Sequence, residues 1–579
     1  MAPIIDPRRG DFEDDASSTR QRSLLAIAGS LLAEISLSKL ILAWLLLVIL
    51  PGMLLGLAPL LGSAWLTAFS RRITESFAGL LPLLLFMVVI ATGWFGGRPL
   101  FRAVEQGFWS LNSLVVQPAY ILCREGLQHV AESLLRGMEE EGRSRLRAIS
   151  SACAGFLLCA MAAWAAVLIW PWSRWIGDFT SIAAPDLLAV TTIANTMVIL
   201  SGYFAIAALV WGLADATMDQ PRTLAAFDEK PAGARIWRVA HLSDLHIIAE
   251  RYGFRIESGR SGPRGNVRLM PLLQKLDALH AEKPLDVILL TGDVTDSGRA
   301  SEWAEFLAAL EGFPALAARL LVLPGNHDIN VVDRANPARL DLPTSPGPRL
   351  REMRSLSAIA AIQGERVRVA DLRKKSLGRT LNEVLASWRA VISTFADRGG
   401  LRRSMRLSQL WAEVFPMILP PDREDGLGVI ILNSTGETHF SFTNALGFIS
   451  REDNQTIAIA VRTFPQARWI VALHHHLVEY PTRVHAFSER IGTALINGSW
   501  FVRQLQRLGR RAVVMHGHRH IDWIGHCGDL RIISAPSPVM EATDDQPRSF
   551  LIHNLAAGPD GALCLLAPER VTLPGIADT

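Results

Sequence analysis

The chain has 579 residues, enough for more than one domain and for a sizeable buried core. Half of the residues are apolar and mean hydropathy is +0.24, high for a wholly soluble protein, while a net charge of +3 makes no demand for nucleic acid or an acidic partner. The five cysteines (Cys123, Cys153, Cys159, Cys527 and Cys564) form no Cys-x-x-Cys pair, which argues against a disulfide framework or zinc finger and fits a reducing compartment.

In chain order, residues 1–22 are polar and charged and read as a disordered tail rather than a cleavable signal. The run Leu24–Leu37 contains Glu34 and reads as an interfacial helix. Four charge-poor stretches follow, at 40–62, 77–97, 151–172 and 187–214, each long enough to cross roughly 30 Å of hydrocarbon. Residues 23–214 are therefore expected to be a membrane domain of about four helices. Pro51 and Pro59 mark expected kinks in the first span. Between the second and third spans, an amphipathic helix is expected around Glu125–Arg147. Arginines crowd the tail and the long middle loop (Arg98, Arg102, Arg124, Arg136, Arg143, Arg145 and Arg147), whereas the other two loops offer Arg71 and Arg72, then Arg174 alone. With four spans, that bias puts the C-terminal domain on the cytoplasmic side. Residues 215–234 read as a polar linker.

From residue 235 to 579 the pattern changes to short β-rich runs alternating with helical stretches, the mark of a layered α/β domain. The runs are Arg238–Leu242, Leu285–Leu290, Leu320–Leu323, Val429–Leu432, Trp469–Leu473, Ala512–Met515, Leu530–Ser534 and Phe550–His553. Helices are expected at Leu269–Ala281 and Ser301–Leu310. One segment interrupts this rhythm. Residues 334–410 hold sixteen Lys/Arg against six Asp/Glu, with helical periodicity at Leu381–Phe395. They read as a basic helical insertion: a solvated excursion, a cap over a site, or a surface for anionic headgroups.

Polar clusters sit just past five of the runs. His241-Leu-Ser-Asp-Leu-His246 follows the first, and Asp244 and His246, two apart at a strand end, point the same way. Thr291-Gly292-Asp293 follows the second, Pro324-Gly325-Asn326-His327-Asp328 the third, His474-His475-His476 the fifth, and His516-Gly517-His518-Arg519-His520 the sixth. In an open α/β sheet that edge is where sites assemble. Imidazole and carboxylate suit Mn, Fe or Zn, and the lack of thiolate argues against structural zinc.

Through Asp244-x-His246, Gly292-Asp293, Gly325-Asn-His-Asp328, a later His and Gly517-His-x-His520, the sequence resembles the calcineurin-like metallophosphoesterases over residues 236–555. It looks closest to the class III cyclic-nucleotide phosphodiesterases, where Gly-Asn-His-Asp and a run like Leu446-Gly-Phe-Ile449 recur. The resemblance implies layered α/β/β/α sheets and a centre of two divalent metals. Asp244, His246 and His520 would hold one metal, Asn326, His474 and His518 the other, and Asp293 would bridge. A cation pair of that kind clamps phosphate and acidifies a water for in-line attack. His327 would then protonate the leaving oxygen, with Asp328 orienting its ring. The family often has His-His-Pro in the fourth block where this chain has His474-His-His, so His475 and His476 remain alternatives to His474. His241, His439, His516 and His526 read as core or rim histidines.

The expected function is a membrane-anchored, metal-dependent phosphodiesterase or phosphomonoesterase facing the cytoplasm, its partners a phosphate-ester substrate and the bilayer. Two substrate classes compete, soluble nucleotides and lipid-linked phosphates or pyrophosphates. A non-catalytic signalling or scaffold protein is a different class. Nucleic acid is not favoured, because the basic segment has only Trp388 and Phe395 to interleave with its charges. Transport is poorly supported, because the spans nearly lack Asp and Lys. Oligomeric state is not encoded legibly.

Overall fold

A computed structural model describes residues 3–5, 41, 45, 49–76, 116–134, 140–177, 185–249, 265–332, 341, 345–438, 441, 444–481, 495–539 and 548–573. The chain divides into two compact units. One comprises Glu34–Met218 with Ala486–Ile491, and the other comprises Met1–Ala33, Asp219–His485 and Gly492–Thr579.

The first unit is helical: α1 (Leu50–Ser76), α2 (Gln117–Leu134), α3 (Glu140–Ile169) and α4 (Pro185–Ala216). Among the described residues three helices are long and apolar enough to cross a membrane, with spans at Leu50–Thr67, Gly142–Trp172 and Leu188–Ala216. These correspond to three of the four expected spans, and the fourth, at 77–97, lies outside the described residues. The first helix also runs on to Ser76, well past the expected end at 62, because no breaker follows Gly62 until beyond Ser70. The described residues of the expected amphipathic helix at Glu125–Arg147 fall in two elements, α2 and α3, and α3 continues without interruption into its apolar part. Helices α3 and α4 meet through small residues. A methyl on Gly155 would come within 2.9 Å of Gly212 Cα, so the backbones touch where side chains would hold them apart.

The second unit holds two sheets. The six-stranded sheet is ordered β14-β13-β2-β3-β4, with β15 beside β13: β2 (Ile236–Leu242), β3 (Val287–Leu290), β4 (Leu320–Val322), β13 (Arg548–Ala557), β14 (Leu563–Leu565) and β15 (Glu569–Leu573). Strands β2, β3 and β4 run parallel. The nine-stranded sheet is ordered β1-β11-β12-β10-β9-β8-β7-β5-β6: β1 (Arg222–Thr223), β5 (Arg368–Asp371), β6 (Ser376–Thr380), β7 (Met417–Leu419), β8 (Leu427–Ile431), β9 (Arg468–Ala472), β10 (Ala512–His516), β11 (Trp523–Cys527) and β12 (Leu530–Ser534). Its centre, β8, β9, β10 and β12, is parallel. Central strands such as β3, β8, β9 and β10 are buried along their whole length, as parallel strands covered on both faces must be. One hydrophobic core takes side chains from both sheets, including Val239 and Leu290 from one and Ile431, Ile470 and Met515 from the other. Helices α5 (Gly265–Glu282), α6 (Ala300–Leu310) and α7 (Gly347–Gln363) add Leu272, Phe306 and Met353 to it.

Two expectations need correction here, and the linker gains partners. The stretch 334–410 is not a peripheral helical excursion. Strands β5 and β6 extend the larger sheet, and α7 is buried from Arg349 to Ala360. Its arginines point inward: Arg351 Nε donates to the Ile329 carbonyl at 3.0 Å, and Arg354 Nη1 to the Gly298 carbonyl at 3.1 Å. The linker 215–234 is not free either. β1 pairs with β11, and Asp228 receives Arg531 and the Leu565 N–H, so the Arg531 guanidinium holds its carboxyl below the usual range. Finally, residues 3–5 of the expected tail are ordered. Ile5 joins the core and its N–H donates to Ser357 Oγ at 3.0 Å, because an apolar pair, Ile4-Ile5, precedes the charged stretch.

Candidate functional site

The five clusters lie in the loops that leave β2, β3, β4, β9 and β10, and backbone groups lace these loops together. Asp244 N–H donates to the Gly292 carbonyl at 3.0 Å, His246 N–H to the Asp293 carbonyl at 3.0 Å, and Gly517 N–H to the His474 carbonyl at 3.1 Å. His518 N–H donates to Asp244 Oδ2 at 3.0 Å and His327 N–H to Asp293 Oδ1 at 2.8 Å.

The backbone here is strained. Asp244 (φ 57°), His246 (45°), Asp293 (50°), His518 (76°) and His520 (52°) are all left-handed, and among the described residues only Lys375 is a further non-glycine of this kind. Each such residue costs on the order of 1–3 kcal/mol and persists only where the surroundings impose it. Two glycines permit the crowding. A methyl on Gly325 would lie 2.1 Å from Asp293 Oδ1, and one on Gly517 would lie 1.7 Å from Ser243 Oγ.

Three groups of candidate ligands result: Asp244, His246 and His520; His246, Asp293 and His327; and Asp293, His474 and His518. Within each, the ligand atoms lie within 4.8 Å of one another. Asp293 Oδ2 is 3.3 Å from His474 Nε2 and 3.8 Å from His246 Nε2. The Thr291 carbonyl, 2.8 Å from His474 Nδ1, accepts its proton and turns Nε2 toward Asp293, toward Asn326 Oδ1 at 3.0 Å and toward His518 Nδ1 at 3.1 Å. Asp244 Oδ1 is 3.4 Å from His520 Nε2. Asp244 Oδ1, both ring nitrogens of His246 and His518 Nε2 are buried without a hydrogen-bond partner. Orphaned buried donor atoms, two carboxylates and clustered imidazoles fit divalent cations, for which N/O ligation suits Mn, Fe or Zn.

The electrostatics agree. Burial works against the Asp293 carboxylate, yet the imidazoles of His474, His327 and His246 hold it well below the usual range. Burial likewise opposes a charge on His474, but Asp293 and Asp244 draw it up to about 9, so a proton there does what a metal cation does when bound. His475 and His518 are held well below their usual value, by burial first and then by neighbouring imidazoles.

Of the three histidines after β9, His474 alone reaches Asp293. His475 Nδ1 is 2.9 Å from Ser434 Oγ, and His476 Nε2 is 3.3 Å from Glu479 Oε1. Asp328 does not orient His327. Its oxygens accept from the backbone N–H of Thr295 and Gly325, each at 2.8 Å, which makes it the strut between two loops. Burial, then the charge of Asp293, raises it to about 6. The His327 ring is held by the Asp296 carbonyl, 2.8 Å from Nδ1. Sequence reasoning passed over two partners. Asp296, whose Oδ1 is also 3.5 Å from His246 Nδ1, stands three residues after Asp293 in a visible cluster. Asn444 accepts from Asn326 Nδ2 at 3.3 Å and, through its carbonyl, from Asn330 at 2.7 Å. Nothing near Asn444 in the sequence points to that role.

Residues 238–522 match the family model described as Calcineurin-like phosphoesterase. The chain carries a calcineurin-like metallophosphoesterase domain. No curated protein matches the chain. Similar solved structures include a dimetal phosphatase from Danio rerio, 11% identical over 58% of this chain and 99% of that one, TM-score 0.32. An NAD nucleotidase from Haemophilus influenzae is 10% identical over 59% of this chain and 57% of that one, TM-score 0.28. A purple acid phosphatase from yellow lupin (Lupinus luteus) seeds is 12% identical over 59% and 55%, TM-score 0.28. The chain spans somewhat more than half the length of the last two. In this phosphoesterase domain the donor set suits two divalent metals, and the metal identity is open.

Proposed function

We propose that the chain is a membrane-anchored, dinuclear-metal phosphoesterase that hydrolyses phosphodiester or phosphomonoester bonds, nucleotide-type substrates favoured, with its catalytic domain cytoplasmic. The observation that carries the reading is Asp293 Oδ2, one carboxylate oxygen flanked by His474 and His246 at 3.3 and 3.8 Å. Asp244, His246 and His520 would hold one cation and Asn326, His474 and His518 the other, with Asp293 between them. When bound, the cations supply charge neutralisation for the phosphate and a lowered pKa for water.

The remaining steps belong to side chains. His327, 15% exposed, has its Nδ1 against the Asp296 carbonyl, and as the imidazolium it would hand the Nε2 proton to the departing oxygen. Asn444 turns the Asn326 carbonyl oxygen inward by taking its N–H. Asp328 keeps the His327 turn registered on the Asp293 loop. The nucleotide preference rests on the likeness of Gly325–Asp328 and Leu446–Ile449 to the class III phosphodiesterases, and the cytoplasmic side rests on the arginine bias of the loops.

A second reading, hydrolysis of lipid-linked phosphate, is favoured by helix α8 (Leu401–Val414). Leu401 and Met405 are each 57% exposed, Arg402 and Arg406 are exposed beside them, and the first turn has no acidic residue to offset the charge. Apolar tips flanked by arginine suit anionic headgroups.

The test is hydrolysis by detergent-purified full-length protein with Mn²⁺, on bis-p-nitrophenyl phosphate, p-nitrophenyl phosphate, a cyclic nucleotide and a phospholipid, each beside Asp293→Asn. Diester turnover that vanishes in the variant supports the proposal, and the natural substrate that competes separates nucleotide from lipid. No turnover with two metals bound would turn the reading to a non-catalytic membrane signalling protein.

A further inference from the structure

The loops after β9 and β10 carry His474 on one side and His518 and His520 on the other. A second set of side chains, outside the three groups of candidate ligands, ties the same two loops. Glu479 stands between His476 and Arg519: its Oε1 is 3.3 Å from His476 Nε2, and its Oε2 accepts from Arg519 Nη1 at 2.9 Å. His476 is buried and the other two are largely covered, with side-chain exposures of 2% for His476, 12% for Glu479 and 5% for Arg519. The Arg519 guanidinium lies over the Tyr480 ring, 5.6 Å from its centroid, and the Tyr480 hydroxyl is anchored 2.8 Å from Ser534 Oγ at the end of β12. The His476 ring stacks on the His518 ring, 6.0 Å between centroids and 14° between planes.

Arg519 separates two left-handed histidines, His518 and His520, a conformation that non-glycine residues leave unless held. Backbone bonds fix the start of this loop, from Gly517 N–H to the His474 carbonyl and from His518 N–H to Asp244 Oδ2. The far end, toward His520, is tied by His520 Nε2, 3.4 Å from Asp244 Oδ1, and by the Arg519 side chain. A buried guanidinium is costly without a paired carboxylate, so the position of Glu479 dictates where Arg519, and with it the loop, can sit.

We propose that Glu479, Arg519 and His476 form a latch that sets the metal affinity of the centre by fixing His518 against His474 and aiming His520. The proposal rests on the metal-centre reading above. Glu479 and Arg519 are positioning residues that act through the histidines. With the latch open, the histidines must be ordered at the moment of binding, and affinity falls by roughly 10- to 100-fold, as for other partners that orient metal ligands. Turnover at saturating metal stays within a few-fold.

The experiment is calorimetric titration of metal-free, full-length protein in detergent with Mn²⁺, beside kcat at saturating Mn²⁺. The proteins are the wild type, Glu479→Gln, Arg519→Met and the double variant. The expected result is two equivalents bound by the wild type, at least roughly ten-fold weaker binding in each single variant, and a double variant no weaker than the worse single. Two equivalents in the wild type with unchanged affinity in the variants overturns the latch alone, as do losses that add in the double. Fewer than two equivalents in the wild type overturns the metal-centre reading and the latch with it. Should a single variant fail to fold by circular dichroism, the double, which leaves no buried charge unpaired, carries the test: unchanged Mn²⁺ affinity in it overturns the latch.

Discussion

Two sets of histidines sit in the phosphoesterase domain, and they differ in what faces them. His241, His516 and His553 lie inside strands β2, β10 and β13, while His246, His474, His518 and His520 lie beyond strand ends. The rings of His241 and His553 are 5.8 Å apart, and among the described residues no carboxylate pairs with either. Burial alone drives His553 down to about 3. The outer set faces Asp244 and Asp293, three of its four members are left-handed, and His474 is drawn up to about 9. Burial of a histidine therefore signals little by itself. A carboxylate opposite, a strained backbone and a place past the strand end together separate a candidate ligand from a core residue.

The sharpest way to break that comparison is to remove the carboxylate. Asp293→Asn keeps a side chain that tolerates the left-handed backbone but removes the charge between the two imidazoles. Diester hydrolysis should fall by on the order of 10³-fold, with Mn²⁺ binding weakened by calorimetry. Equal activity in this variant would mean that the outer histidines are as inert as the inner ones. A smaller effect is expected from His327→Gln, which should lower turnover by about 10²-fold on an ester with a poor leaving group. The loss should shrink on p-nitrophenyl esters, whose leaving group needs no proton, and Mn²⁺ affinity should stay near wild type. If the loss were equal on both esters, His327 would not be the acid.

The strands bearing the clusters were legible because each is a mostly apolar run cut off by polar residues, as in Val287–Leu290 before Thr291-Gly292-Asp293. The short edge strands were not. Pieces such as β6, whose residues are partly or fully exposed, carry no apolar period to read. Charge counting misled most over 334–410, because it cannot see a partner. Arg351 and Arg354 are each 5% exposed: Arg351 pairs with Asp341 and donates to the Ile329 carbonyl, and Arg354 donates to the Gly298 carbonyl, far along the chain from it. Asp328 failed for a related reason. Sequence adjacency to His327 suggested a side-chain pair, whereas the turn aims the carboxylate back at the N–H groups of Gly325 and Thr295. Ligand types can be read from a sequence, but the groups that orient them are chosen by the fold.

The smallest predicted effect tests the inner set directly. Both ring nitrogens of His553 are buried without a partner, so His553→Leu removes two unsatisfied polar atoms and keeps much of the volume. Stability at pH 8 should be unchanged or higher by about 1 kcal/mol, read as the denaturation midpoint, with hydrolysis unaffected. The pH dependence is more telling. A histidine held at about 3 in the fold but near 6.5 when unfolded binds more protons in the unfolded chain between those values. Stability therefore rises with pH across that window, and the wild type loses it progressively as pH falls below about 6.5. Without His553, the midpoint should fall less steeply between pH 6.5 and 4. An identical slope in both proteins would mean that His553 gains a proton without unfolding, and the contrast between the two sets of histidines would lose its electrostatic basis.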